Sequence, residues 1–522
     1  MKMSGRCAAT VLACAVGIGI EAAAVSGVLA QDASFLPRFP ILLSELTAPA
    51  IDRGIHEFDP VRAPRTEGTT LQIAADGEPF LRGSIIVKFR PGTSPDAQRA
   101  MLSQVDGALT PPLSYANFDI VSIPDTADPE ATARRLEAQP DVDYAQARYR
   151  IYPQFVPNDP MYARQWNYPA LDMERAWDIN PGATPSVTVA VLDSGVAYRP
   201  ALMRYNARFP FRATPGGPVL PALGLIDVPF AAAPDLGGAD RFVAPRDFIW
   251  ETTTPMDLDG HGTHVAGTIG QLTNNSIGVA GMAFNVRLMP VKVIAGDWDF
   301  ILGSPLQGTD DVVARGVRYA VDNGAQVLNM SIGRTGPPAP VVQEAITYAV
   351  SRGAFVVVAA GNEFEIGNPV ERLAEFAPLI QGMVAVAAIG RDRRRAFYSN
   401  TGPYIELAAP GGNMRAGGSE GGILQQTYDF DFVDTFLGSA AQYRAPRFDV
   451  FAYQYFQGTS MAAPHVSGFA ALLIQQGITK PAAIEAAMTR YATDLGAAGR
   501  DNEFGHGLIN PRASLRGLGL AK

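Results

Sequence analysis

The chain has 522 residues, 52 of them Gly and 41 Pro, and 47% are apolar, so at least one large core is expected and a small disulfide-stapled scaffold is excluded. Gly and Pro stay below the share at which disorder becomes the better reading, so the composition describes a loop-rich globular protein. A formal charge of -9 offers no phosphate-neutralising surface and argues against DNA or RNA as partners.

Lys2 and Arg6 precede an apolar stretch from Cys7 to Ala30, interrupted at Glu21 and ending in Val28-Leu29-Ala30. It reads as a secretory signal peptide over residues 1–30, cut before Gln31. An uncleaved anchor is the alternative, but Glu21 divides the run into pieces shorter than the roughly 20 residues a span needs. A lipoprotein attachment at Cys14 fits less well, because the apolar run continues past it. No later stretch is long and apolar enough to span a bilayer, so no membrane span is expected after leader removal. The expected address is secreted, extracellular or periplasmic. The chain's two cysteines, Cys7 and Cys14, leave with the leader, so stability is expected to rest on a large core, with bound ions as a further means.

Residues 31–82 are polar, rich in Pro, Ala and Thr, and read as a linker or arm. From Gly83 the texture changes. Residues 84–89 read as a strand, 94–105 as a helix, 118–124 as a strand, 129–138 as a helix and 142–152 as a strand. This β-α-β-α-β order predicts a small α+β module over 83–157, with helices on one sheet face. An exposed, Pro-containing connection follows Pro153. From residue 158 onward, short apolar runs at 186–192, 286–293, 325–331 and 354–360 alternate with helix candidates such as 310–324 and 341–353. Buried strands separated by helices predict a parallel sheet covered on both faces, with chemistry at the strands' carboxyl ends.

Four segments carry that chemistry. The first sheet strand ends in Asp193-Ser194-Gly195, which places a carboxylate at the lip of the sheet. In DLDGHGTHVAGTIG (257–270), Gly-rich backbone feeds a helix with His261 at its entrance. His261 and His264 are spaced i,i+3, but no Cys and no HExxH pattern accompanies them, which argues against zinc. In FQGTSMAAPHVSGFAALLIQQ (456–476), Ser460 stands where a tight turn enters a long apolar helix. Singly these residues are ordinary caps and turn residues; together they supply a nucleophile, a base and a carboxylate to orient the base. AFVVVAAGN (354–362) adds Asn362, whose side-chain amide, with the Ser460 backbone N–H, suits a developing oxyanion.

The strings VAVLDSGV (189–196), DGHGTHVAGTIG (259–270), VLNMSIG (327–333), VVAAGN (357–362) and GTSMAAPHVSG (458–468) resemble those of the subtilisin-like serine proteases, in the same order. The resemblance covers about 158–516 and implies a subtilisin-like three-layer α/β fold, a parallel sheet between helices, preceded by a ferredoxin-like α+β propeptide module. It further implies a serine endopeptidase in which Asp193 orients His261, His261 is general base and then acid, Ser460 is the nucleophile and Asn362 the oxyanion donor. Substrate backbone would pair beside Ser331-Ile332-Gly333, in a pocket walled also by Ala359, Ala360 and Gly361, whose small residues leave room for a large apolar side chain. Glu363 and Asp259 would favour basic side chains near the cut, or else are solvated loop charges.

By the same resemblance the propeptide assists folding and inhibits until removed. Self-cleavage between about Tyr152 and Asn158 is expected. Asp159 and Asn275, with the carbonyls of Leu272, Ile277 and Val279, resemble the family's calcium site. Relatives add a carboxylate just after the catalytic Asp, where this chain reads Arg199-Pro200-Ala201-Leu202, so calcium stays open and no cofactor is needed for catalysis. Residues 203–246 and 413–456 exceed the family's compact pattern. The aromatics of 413–456 suit a packing cluster better than a binding surface. The expected partners are protein or peptide substrates and the chain's own propeptide, and the enzyme is expected to be a monomer. A catalytically inactive peptide-binding or regulatory homologue would have lost one of the four site residues, and none is lost; a ligase would have to shield its acyl-enzyme from water.

Overall fold

The computed structural model describes residues 71–73, 79–149, 155–437 and 442–517. The predicted leader and most of the predicted arm lie outside the described residues, as do residues 152–154 of the predicted processing segment. The small N-terminal module is built on the strand Pro79–Phe89, which pairs antiparallel with Asp119–Ser122, Val142–Tyr149 and the short strand Leu71–Ile73. Ile85, Val87 and Phe89 point inward at period two, against Leu102 and Leu136 from two helices. Those helices, Pro95–Ser103 and Pro129–Glu137, each open on Pro behind a capping side chain, Ser94 or Asp128. The strands Leu71–Ile73 and Ala108–Leu109 were not predicted, being too short to show a period.

The large domain contains a seven-stranded parallel sheet: β1 Thr188–Asp193, β2 Arg246–Asp247, β3 Arg287–Lys292, β4 Val327–Met330, β5 Phe355–Ala359, β6 Met383–Ile389 and β7 Leu407–Pro410. Their spatial order is β7-β6-β5-β4-β1-β3-β2. β1, β4, β5, β6 and β7 are buried along their whole length, because helices cover both faces and leave no polar side to alternate. The helices that matter for the site are α1 His261–Gly270, α2 Asp310–Asp322, α3 Pro340–Ser351 and α4 Thr459–Gln475. α4 lies across β4–β7 and against α1, and fifteen of its seventeen residues are buried. It thus serves as the core's central rod, not as a surface helix.

Both extra stretches are structured. In the first, Ala201–Ala207 pairs antiparallel with Gly224–Phe230. In the second, Ile423–Tyr428 pairs with Phe451–Phe456. The two pack on each other: Phe448 exchanges backbone hydrogen bonds with Pro229 and Ala231, and its ring stacks on Phe230 with centroids 5.2 Å apart. The aromatics of 413–456 therefore include a packing cluster, with Tyr428 and Phe448 fully buried.

Candidate functional site

Asp193 ends β1 and His261 begins α1, so the pair meets at the carboxyl edge of the sheet. His261 Nδ1 and Asp193 Oδ1 are 2.7 Å apart. The close approach needs Gly262, since a Cβ there would lie 2.1 Å from the Gly195 carbonyl oxygen. Burial alone pulls the imidazole pKa down, but the charge and hydrogen bond of Asp193, with Asp259 and Asp257 adding, raise it to about 9.

Asp257, which the sequence reading passed over, organises this corner. Its fully buried carboxylate accepts from the Ser194 hydroxyl, from the N–H groups of Asp259, Gly260 and Thr263, and from the Thr263 hydroxyl, all within 3.1 Å. Ser194 Oγ in turn accepts from Gly262 N. One carboxylate thereby ties the residue after Asp193 to the residues flanking His261. The same turn is held from below by the buried Lys292, which donates to Met256 O at 3.0 Å and pairs with Asp299 at 2.9 Å. From above it is held by Thr427 Oγ1 donating to Gly260 O and Tyr428 OH donating to Asp257 O.

His264 faces away from His261, stacked on Phe456 at 4.3 Å with Nε2 near the carbonyls of Ile423 and Gln454. Burial pushes its pKa down to about 3, so it is a neutral packing group. His465 is likewise buried and neutral, held between Asn167 and Met461 O.

Ser460 is the second residue of α4. Its Oγ donates to Ser331 O at 3.1 Å, and Ser331 Oγ returns a bond to Ser460 O at 2.7 Å. The hydroxyl is hydrogen-bonded to Ser331 O and not to His261; catalytic hydrogen bonds of this kind form fully only with substrate in place. Asn362 follows β5. Its Oδ1 accepts from Thr459 N at 2.8 Å and Thr459 Oγ1 at 3.0 Å. With its oxygen committed to the helix start, the amide keeps its NH₂ as the outward donor beside Ser460.

β4 and β5 are paired neighbours, with Met330 opposite Val358, so Ser331-Ile332-Gly333 and Ala359-Ala360-Gly361 leave the sheet side by side. Of the two carboxylates expected near the cut, Glu363 turns inward: its Oε2 accepts from Asn362 N and Asn400 Nδ2. Asp259 stays half-buried and caps the turn through His261 N at 3.1 Å. Burial and the neighbouring Asp257 raise its carboxyl to about 7.

The loop 272–281 meets Asp159, whose carboxylate accepts from the N–H groups of Asn274 and Asn275. A second carboxylate, Asp235 from the first extra stretch, comes within 2.7 Å of the Asn275 amide and accepts from Val279 N. Both acids are buried. Burial first, then the charge of Asp159, raises the Asp235 carboxyl to about 6. Among the described residues the carbonyls of Leu272, Ile277 and Val279 accept no hydrogen bond, whereas those of Gly278 and Ala280 do. Two buried carboxylates, a carboxamide and three uncommitted carbonyls are the hard oxygen set that suits calcium. No group of three or more His, Cys, Asp or Glu side chains that could hold a metal occurs among the described residues.

A parallel α/β sheet that carries a His–Asp pair, a serine at a helix start and a side-chain amide along one edge defines the serine peptidase class. The profile of the Subtilase family matches residues 184–507, and that of the fervidolysin N-terminal prodomain matches 68–147. The chain belongs to the subtilase family and is a serine-type endopeptidase carrying an N-terminal prodomain. A thermophilic serine proteinase of Bacillus sp. (strain AK1) is 28% identical over 87% of this chain and 92% of its own length. An extracellular protease of Xanthomonas campestris is 30% identical over 75% of this chain and 62% of its own. A solved protease structure from Pseudoalteromonas arctica is 30% identical, with a TM-score of 0.52 over 70% of this chain and 99% of its own.

Proposed function

We propose that the chain is the self-processing zymogen of a secreted endopeptidase that hydrolyses peptide bonds through an acyl-enzyme on Ser460. His261 takes the Ser460 proton and later returns it to the leaving amine, while Asp193 fixes its tautomer and balances the imidazolium. The oxyanion is received by the Asn362 amide and the Ser460 backbone N–H. The observation that carries this reading is the pinning of Asn362 Oδ1 by Thr459, which leaves an N–H donor preset beside the nucleophile. A fluorophosphonate probe is expected to form one adduct, mapping to Ser460 by peptide mass spectrometry. An adduct elsewhere, or none on the matured enzyme, overturns the assignment.

The division proposed is leader 1–30, arm, prodomain and a peptidase domain from about 158. Secretion is supported by the leader's sequence and by the extracellular relative. Among the described residues no helix is long and apolar enough to cross a membrane.

The carboxylates around His261 set the working pH. Because Asp193, Asp259 and Asp257 hold its pKa above the ordinary imidazole value, the base is freed only as pH rises toward about 9. The acid limb of kcat/KM therefore lies on the alkaline side of neutrality. Asp259→Asn removes one negative charge from the imidazolium's surroundings and moves that limb toward lower pH. A profile unchanged in position, measured with a fluorogenic peptide, would show that Asp259 does not feel the base.

Calcium would bind between Asp159 and Asp235, with Asn275 and the carbonyls of Leu272, Ile277 and Val279. It would neutralise two buried charges and stitch the extra stretch to the loop behind α1. Asp235 thus supplies the carboxylate missing at Ala201. Calcium is expected to raise the thermal midpoint of the wild type, by about 2–3 kcal/mol of stability when the ion is a hundredfold above its Kd. Asp235→Asn is expected to abolish the response to added calcium and to a chelator, read by calorimetry. An equal response in both proteins rejects the site.

A further inference from the structure

The wall segment Ser331-Ile332-Gly333 ends on a glycine whose open side is occupied by a residue that no motif marks. Gly333 is exposed, yet a Cβ built on it would meet the Glu371 carboxyl carbon at 2.4 Å and Oε2 at 2.5 Å. Glu371 is only 2% exposed. Its Oε1 accepts both available backbone donors, Arg334 N at 2.7 Å and Leu373 N at 3.1 Å. The facing wall ends on Gly361, where a Cβ would meet Asn400 Nδ2 and Glu363 Oε2. The far ends of both walls thus carry polar groups: the Glu371 carboxylate at Gly333, and the Asn400 amide with the Glu363 carboxylate at Gly361.

Among the described residues Glu371 forms no salt bridge, and the charge of Arg334 acts on it only from a distance. The Arg334 guanidinium is drawn off by a bidentate pair with Asp310 at 2.6 and 2.5 Å and by the carbonyls of Thr335 and Pro337. Only its backbone N–H reaches the carboxylate. Glu363 is less buried than Glu371, and its Oε2 accepts from Asn362 N and Asn400 Nδ2. Burial pushes the Glu371 carboxyl up to about 8, with the charge of Glu363 adding to the rise. That cost is met when an opposite charge arrives beside it.

We propose that Glu371 forms the acidic end of the pocket for the side chain preceding the cut and selects Lys or Arg there. This deepens the peptidase reading above and rests on it. Small wall residues admit a long side chain, its methylenes lie between the two wall backbones, and its cationic head meets the Glu371 carboxylate in a charge-assisted bond. An aliphatic or aromatic side chain of similar length would leave that carboxylate buried and unmatched.

The test takes the matured wild-type enzyme, confirmed active by fluorophosphonate labelling at Ser460, and digests a peptide library read by mass spectrometry. Lys and Arg are expected to be enriched immediately before the cut. Glu371→Gln is then compared with wild type on peptides differing only in Lys, Arg, Phe or Leu at that position. The ratio of kcat/KM for basic over apolar peptides is expected to fall at least about tenfold, with the apolar peptides still cleaved. If Glu371→Gln fails to mature, Glu371→Asp, which keeps the charge but withdraws it by one methylene, is expected to lower the same ratio. A labelled wild type with no basic enrichment overturns the proposal, as does a variant with an unchanged ratio. Absence of label would instead reject the peptidase assignment itself.

Discussion

Ser460→Ala is expected to yield a full-length precursor that accumulates uncut, with peptide hydrolysis lowered by about 10⁶, the scale known for the nucleophile of subtilisin. Without Oγ no acyl-enzyme forms, and only the residual pull of the oxyanion donors and substrate positioning remains. The fold is expected to tolerate the change. The lost hydroxyl donates one bond, to Ser331 O, while the reciprocal bond from Ser331 Oγ to Ser460 O stays. A stability change within about 1.5 kcal/mol follows from the net worth of one hydrogen bond. Intact-mass spectrometry of the variant made alone checks both parts, since a processed product would mean that another protease makes the cut.

Asn362→Ala is expected to lower kcat by about 10²–10³ with KM little changed, because the amide bonds the oxyanion and not the ground-state carbonyl. Alanine also strips Thr459 of its acceptor, so a second variant separates the two effects. Asn362→Asp retains an oxygen for Thr459 N and Oγ1 but offers no donor and brings a negative charge to the site. It is expected to be at least as slow as the alanine variant. Recovery of activity in Asn362→Asp would assign Asn362 to holding the helix start and not to the oxyanion.

The large domain's central strands were legible because Val, Ile and Leu dominate them and glycine marks their exits, and the edge residues Asp193 and Asn362 follow directly from those ends. β6 and β7 were not predicted. Alanine makes up nearly half of MVAVAAI and half of LAAP, and the second ends in a proline; alanine and proline have little intrinsic strand preference, and these segments become strands through burial between neighbours. The motif residues of the site were read from local strings. Asp257, Asp235 and Glu371 were not, because each acts through partners remote in sequence: Ser194 for the first, Asn275 for the second, Gly333 and Arg334 for the third. A lone acid in a loop carries no local sign of such a partner. The i,i+3 spacing of His261 and His264 was likewise visible, but not that one would face the cleft edge and the other a phenyl ring.

The two hairpins outside the compact pattern share a fate. Phe448 is sealed between Pro229 and Ala231 by backbone bonds and covered by Phe230, while Tyr428 and Thr427 hold the turn that leads to His261. Trimming the first hairpin would lay bare the apolar underside of the second. Trimming the second would unfasten the turn that sets the imidazole. A shortened version of this enzyme must therefore lose both at once and gain a new fastening for Asp257–Gly260, which makes the pair a single unit for engineering.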